Sequence, residues 1–209
     1  MDVVSPHHRL VIALVLALAL AGFPRSGAAA ESAAPRRILI RAGHVLDVHN
    51  GNEAADQTII VSGDSITAIG ATSATPKQPE DEEIDLHDMT VLPGLIDVHT
   101  HLTMDSNFDP YHELSTSVAK SALIGAHNAR ITLQAGFTSV RNVHAEGYAD
   151  VDLRDAINAG LIPGPHMQVS GPALGITGGH CDENLLPAAF HDHREGVADG
   201  VEEVRKKVR

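Results

Sequence analysis

The spacing of hydrophobic positions changes near residue 90, and this change divides the chain into two kinds of structure. Before it, short apolar and β-branched runs alternate with polar turns, a pattern typical of strands. The runs are Arg37–Arg41 and Val45–Asp47 around a turn at Gly43, Gln57–Val61, Ile66–Ile69, Ile84–His87 and Met89–Val91. The polar, proline-containing segment 72–83 predicts a surface loop. We expect residues 36–90 to form a small all-β unit.

After residue 90, the pattern predicts strands that alternate with helices. Val91–Leu102 is apolar and β-branched, contains a Pro-Gly breaker and predicts a short buried strand. Further strands are expected at residues 138–143 and 167–170. With a helix between each pair, this order predicts a parallel sheet with right-handed crossovers. In such folds the catalytic residues lie at the carboxyl ends of the strands, in the loops that lead to the helices.

Two helices are expected between these strands. The first covers residues 115–134 with Ser115 as its N-cap, and His127 and Asn128 are expected on its outer surface. The second covers residues 150–159. A last helix is predicted by valines that share one helical face, namely Val197, Val201, Val204 and Val208.

Residues 1–30 have the pattern of a signal peptide. Arg9 precedes the uninterrupted apolar run Leu10–Ala21, and Ala28–Ala30 supplies the small residues of a cleavage site. The apolar run is shorter than the roughly 20 residues of a spanning helix. The sequence therefore predicts export to the periplasm or the extracellular space, with no stable membrane span after cleavage.

Composition excludes some functions. The formal net charge is -12 at pH 7, aromatic residues make up 3% and tryptophan is absent, so nucleic-acid binding is disfavoured. The single cysteine, Cys181, excludes an internal disulfide framework, and its role stays open.

The predicted strand Val91–Leu102 carries two histidines at i and i+2. Because side chains alternate across a strand, Asp97, His99 and His101 share one face. Neutral imidazole is the commonest protein ligand of zinc, so the two histidines form half of a predicted metal site. Asp97 is predicted to support these ligands through a hydrogen bond, with direct binding to the metal as the alternative. The alternative is a surface strand with a chance pair, since the chain has 14 histidines.

Several motifs resemble a known family. Pro93–His101 resembles the first barrel strand of the amidohydrolase superfamily, metal-dependent hydrolases built on a (β/α)8 barrel. Segments at 153–165, 169–172 and 178–180 are similar to its imidazolonepropionase-like or Xaa-Pro dipeptidase-like branch. The resemblance covers about residue 37 to residue 209. It implies an α/β fold in which residues 91–209 form the first three βα units of a TIM-type barrel and residues 36–90 part of a β-sandwich.

The resemblance also implies an activity. It predicts metal-dependent hydrolysis of C–N bonds by a dipeptidase or N-acyl amino acid amidohydrolase that acts on a small amide or dipeptide. The expected cofactor is zinc, as one or two ions, with manganese or iron as substitutes. Alternatives are a cyclic-amide hydrolase, a mononuclear deaminase of the same superfamily, or an exported metal-binding remnant without catalysis. Substrate identity, the number of metal ions and a homo-oligomeric state stay open.

By resemblance, the family also needs a bridging lysine, two further histidines and a catalytic aspartate, which are expected beyond Arg209. Three strands cannot close an eight-stranded barrel. We therefore expect the 209 residues to be an N-terminal fragment that is inactive and poorly folded when isolated.

The segment between residues 171 and 199 is longer than an ordinary βα connection. It predicts a loop over the metal site, and His180, in a glycine-flanked turn that matches the family, is its predicted substrate contact. The alternative is a solvated excursion. That alternative is favoured for His191 and His193, whose role stays open.

Overall fold

The structure is a computed structural model that describes residues 36–105, 110–182, 187, 189 and 194–209. The predicted signal peptide and the pair His191 and His193 lie outside the described residues, so export stays a prediction. The described chain separates into two units, one of residues 36–47 and 52–91 and one of residues 48–51 and 92 onward. None of the helices in these ranges is long and apolar enough to cross a membrane.

The N-terminal unit is built on a four-stranded sheet with the order β3-β2-β1-β4. Its strands are β1 (Arg37–Asp47), β2 (Asn52–Ser62), β3 (Ser65–Ala71) and β4 (Glu82–Val91). The pairs β1–β2 and β2–β3 are antiparallel, whereas β1 and β4 are parallel. The predicted strands therefore lie in one sheet, and the β-sandwich stays a prediction.

The predicted turn at Gly43 is wrong, because β1 runs through this residue without a break. The register between β1 and β4 shifts between Ala42 and His44, as at a β-bulge. A Cβ atom on Gly43 would lie 2.0 Å from the carbonyl oxygen of His87. The glycine therefore permits a close approach of two backbones, which a local sequence pattern cannot distinguish from a turn.

An ion pair between Arg37 and Asp81 predicts acid sensitivity of this unit. Arg37 donates from Nε and Nη2 to the buried Asp81 carboxylate at 2.9 and 2.7 Å. Hydrogen bonds from Arg37 and from the backbone of Gln78 lower the pKa of Asp81 from 3.8 to about 2. Because the folded pKa lies below the unfolded one, the pair stabilises the fold above the unfolded pKa, and this contribution is lost as the pH falls through 2.

We expect Asp81→Asn to lower the urea midpoint at neutral pH, and its difference from the wild type to shrink between pH 4 and pH 2. Unfolding followed by circular dichroism at a series of pH values measures this difference. The control is Glu53→Gln, an exposed position on β2. A difference that stays constant down to pH 2 would show that the Asp81 charge contributes nothing.

The C-terminal unit alternates strands and helices. In chain order it contains β5 (Leu95–Thr100), α1 (Pro110–Leu114), α2 (Val118–Gln134), β6 (Phe137–Asn142), α3 (Ala149–Asn158), β7 (His166–Val169) and α4 (Val201–Val208). Strands β5, β6 and β7 form a parallel sheet in that order. The predicted α/β alternation and parallel sheet are confirmed.

The core of this unit lies between the sheet and helices α2 and α3. It contains Leu102, Ala129, Val140, Leu153 and Met167. Small residues on the inner face of α2 allow close packing, since a Cβ atom on Gly125 would lie 2.8 Å from Cδ2 of Leu153. The N-cap of α2 is Ser117 rather than Ser115, and its hydroxyl accepts a hydrogen bond from the Lys120 amide at 3.2 Å.

Helix α4 begins at Val201, four residues later than predicted. Val197 forms a parallel bridge with Gly175, and the Ala198 amide donates to the Gly175 carbonyl at 2.8 Å. A residue in such a bridge has an extended backbone, so the helix cannot include Val197. The valines within the helix are exposed, so the valine pattern does not mark a buried face among the described residues.

Candidate metal centre

The two predicted metal ligands lie together at the carboxyl end of β5. His99 is within the strand and His101 follows its last residue. Their ring centroids are 5.4 Å apart, and the ring planes meet at 68°. The spacing of two residues therefore brings both imidazoles to one side of the chain.

The prediction that this strand is buried is wrong. Ile96 is 69% exposed and Val98 59% exposed, and both histidines are exposed. Strand β5 lies at an edge of the described sheet, where β6 is its only paired neighbour. Its apolar side chains therefore lack the neighbours that would cover them in a central strand.

Asp97 has a local role in the structure. Its Oδ1 atom accepts a hydrogen bond from the His99 amide at 3.0 Å, and the residue is half-buried. This bond orients the backbone that carries the first imidazole. Contact between Asp97 and a metal-bound imidazole stays a prediction.

A third histidine, His144, lies beside the pair, and the sequence assigned it no role. Its ring centroid is 6.3 Å from that of His101. His144 follows β6 as His101 follows β5, and adjacent parallel strands end at the same edge of a sheet. The position of His144 just after a predicted strand could therefore have identified it as a site residue from the sequence.

Both ring nitrogens of His144 have hydrogen-bonding partners. Nδ1 accepts a hydrogen bond from the Ala173 amide at 3.2 Å, and Nε2 lies 3.3 Å from Oε1 of Glu146. Since Nδ1 must present a lone pair to the amide, the proton is on Nε2 and is directed at Glu146. His144 therefore shapes the site beside the pair and has no nitrogen left for a metal ion in this arrangement.

Glu146 also pairs with Arg194, whose Nη1 atom lies 2.5 Å from Oε1 of Glu146. The hydrogen bond from His144 and the contact with Arg194 lower the pKa of Glu146 against the opposing effect of burial. Glu146 is therefore ionised at neutral pH. The side chains of His144, Glu146 and Arg194 border a cavity of about 60 Å³, which Thr103 and Thr116 also line. This volume is far smaller than a dipeptide needs.

His180 lies near this cluster. Partial burial lowers the pKa of His101, and charge repulsion from His144, His99 and His180 adds to the effect in that order. His180 is exposed, and a contact with substrate stays a prediction. Cys181 is half-buried beside Gly175, and no role is assigned to it.

The donor set fits half of a zinc site. A lowered pKa keeps His101 neutral near pH 7, and neutral imidazole is the form that binds zinc. Within the described ranges, no group of three His, Cys, Asp or Glu side chains is arranged to hold a metal ion. His99 and His101 therefore supply two donors, and the described residues supply no complete coordination shell.

The peptide that follows His101 is held from two sides. The Leu102 amide donates to Oδ1 of Asn142 at 2.7 Å, and Nδ2 of Asn128 donates to the Leu102 carbonyl at 2.8 Å. Asn128 also donates to the Met104 carbonyl at 3.2 Å. The prediction that Asn128 belongs to the outer surface of its helix is therefore wrong, because its amide faces the loop after β5. His127 is exposed as predicted.

Comparison with known proteins connects this chain to enzymes. Residues 90–209 match the model of the Amidohydrolase family. Ochratoxinase of Aspergillus niger is 33% identical over 178 residues, which are 77% of this chain and 36% of the relative. Adenine deaminase of Brucella abortus is 26% identical over 178 residues, which are 79% of this chain and 26% of the relative.

Solved structures give the same result. A Xaa-Pro dipeptidase with methionine bound in its active site superposes with a TM-score of 0.73 at 32% identity, over 82% of this chain and 43% of the dipeptidase. Ochratoxinase of A. niger superposes with a TM-score of 0.66 at 29% identity, over 84% and 44%. The chain thus spans less than half the length of these relatives.

Proposed function

Because this chain belongs to the amidohydrolase family, we propose that the protein hydrolyses C–N bonds in small amides or dipeptides with the help of a divalent metal ion. The observation that carries the proposal is the pair His99 and His101, whose rings lie 5.4 Å apart at the carboxyl end of β5. Active sites of parallel α/β barrels lie at this end of the strands. The site and the family therefore point to the same chemistry.

His99 and His101 would hold the metal ion, and zinc is the proposed ion because imidazole is one of its usual ligands in hydrolytic sites. When bound, such an ion acts as a Lewis acid that polarises the scissile carbonyl. The Asp97 carboxylate fixes the backbone of His99. The lowered pKa of His101 keeps its ring available as a neutral donor at physiological pH.

The group His144, Glu146 and Arg194 borders the same region and carries no net charge when His144 is neutral. It therefore presents a rigid, hydrogen-bonded wall rather than a free charge. We propose that this wall and His180 limit the space available to the substrate beside the metal.

A dipeptide or an N-acyl amino acid is the proposed substrate. Likeness to a Xaa-Pro dipeptidase at 32% identity supports a dipeptide. The second candidate is deamination of a purine base, which the 26% identity to adenine deaminase favours. The two reactions are separated by their products, a free amino acid in the first case and ammonia in the second.

Purified full-length protein is expected to contain zinc by mass spectrometry and to release amino acids from a panel of Xaa-Pro dipeptides and N-acyl amino acids. A chelator should abolish turnover, and added zinc should restore it. Adenine is included in the panel, with ammonia as the readout. Turnover that survives removal of all metal, or turnover of adenine alone, would contradict the proposed amide hydrolysis.

A further inference from the structure

We propose that Asp150 is a positioning residue that holds, through Asn142, the peptide following His101. Asp150 lies in the first turn of α3 and makes no contact with His99 or His101 in the hydrogen-bond network. Its effect on the histidine pair is therefore indirect. The consequence for metal binding rests on the proposed function, whereas the effect on the backbone does not.

One oxygen of Asp150 connects the ends of two neighbouring strands. The side chain is fully buried, and Oδ2 accepts hydrogen bonds from the amides of Ser170 and Gly171, both at 3.2 Å. These residues follow β7. The same oxygen accepts from Nδ2 of Asn142, the last residue of β6, at 3.3 Å.

Asn142 passes this constraint to β5. Its side chain is fully buried, and Nδ2 also donates to the His144 carbonyl at 2.8 Å. Oδ2 of Asp150 accepts from two amides and a carbonyl oxygen only accepts hydrogen bonds, so both require the NH2 end of the Asn142 amide. The Asn142 oxygen is thereby directed at the Leu102 amide, which donates to it at 2.7 Å.

The two positions fixed by this network lie next to the imidazoles of the site. Leu102 directly follows His101, and the His144 carbonyl belongs to the third histidine. The network therefore fixes the backbone next to His101 and the backbone of His144. The ring centroids of these two histidines are 6.3 Å apart. Residues that orient metal ligands through hydrogen bonds affect metal affinity although they do not touch the ion.

The two oxygens of Asp150 have different surroundings. Oδ1 is buried and has no hydrogen-bond partner among the described residues, which is unfavourable. Oδ2 accepts three hydrogen bonds, and without this acceptor the buried Gly171 amide would lose its partner. A carboxylate at this position is therefore explained by the groups that Oδ2 holds in place.

The test replaces Asp150 by alanine and measures amide hydrogen exchange residue by residue. We expect the Leu102 amide to exchange about tenfold faster, since its acceptor is no longer held in one orientation. The amides of Val140 and Met167, in the middle of β6 and β7, should change little. In the same variant, zinc affinity measured by competition with a chromophoric chelator should fall about tenfold.

Asp152→Ala is the matched control, because Asp152 is exposed in the same helical turn. It should change neither readout. Asp150→Asn keeps the shape and one acceptor oxygen, and should therefore restore most of the Leu102 protection if the alanine variant loses it. If Asp150→Ala fails to fold, Asp150→Ser replaces it, because the shorter side chain cannot hold Asn142 in the same way and the Leu102 amide should again exchange faster.

Two results would overturn the proposal. One is an unchanged Leu102 exchange rate in Asp150→Ala, or in Asp150→Ser where that variant replaces it, and the other is equal acceleration of all amides, which indicates general destabilisation. If the wild-type protein binds no zinc, the proposed function fails, and the Leu102 exchange rate still decides whether Asp150 positions this peptide.

Discussion

Replacing His99 and His101 together by alanine is expected to remove bound zinc and to lower amide hydrolysis by about 1000-fold or more. The reason is that the two rings, 5.4 Å apart at the end of β5, are the proposed donors to the metal ion. Without them the proposed ion should be lost, and with it the polarisation of the carbonyl that it would supply. Zinc content and turnover of the best dipeptide in the panel measure the two effects.

His127→Ala is the control for this experiment, because it removes an exposed histidine from α2, away from the strand ends. It should leave metal content and turnover unchanged. Since His99 and His101 are exposed, the double variant should also unfold at nearly the wild-type urea concentration when both proteins are measured with a chelator, because bound zinc would stabilise only the wild type. Full activity in the double variant would assign the chemistry to other residues.

Leu153→Ala is expected to lower the free energy of unfolding of the C-terminal unit by about 2 to 5 kcal/mol. Leu153 is 2% exposed and packs with Leu102, Ala129, Val140 and Met167 between the sheet and its helices. The substitution removes apolar contacts and leaves a cavity that the strands cannot easily fill. Urea unfolding followed by circular dichroism measures the change.

Leu161→Ala is the matched control, since the same atoms are removed from a leucine that is 77% exposed. Its effect on the free energy of unfolding should stay within about 0.5 kcal/mol. Similar losses for the two variants would mean that the buried cluster does not stabilise the unit. Because Leu102 directly follows His101, Leu153→Ala should also weaken zinc binding, whereas Leu161→Ala should not.

The order of strands and helices could be predicted from the sequence because hydrophobic periodicity is a local property. The same holds for His99 and His101, since alternation along a strand places residues i and i+2 on one side. The exposure of β5 could not be predicted, because burial depends on which strands pair with it. An apolar strand is compatible with a central or an edge position.

Residues whose roles depend on contacts distant in sequence were also missed. Asn128 was expected on the surface, yet it binds carbonyl groups after β5, 26 and 24 positions earlier. From the sequence alone, Asp150 is indistinguishable from the acidic residues that commonly occupy the first turn of a helix. Gly43 was expected in a turn, because glycine is typical of turns, yet it lies at a bulge between the paired strands β1 and β4.

The pairing of β1 with β4 has a consequence for the order in which the N-terminal sheet assembles. The β2–β3 hairpin joins residues that are a few positions apart, whereas Arg37 and Asp81 are 44 positions apart. Loop-closure entropy grows with the length of the intervening chain, and such non-local contacts raise the contact order. The meander β1–β2–β3 therefore costs less chain entropy to form than the parallel junction that completes the sheet, and on the ribosome it is available before β4 has been synthesised.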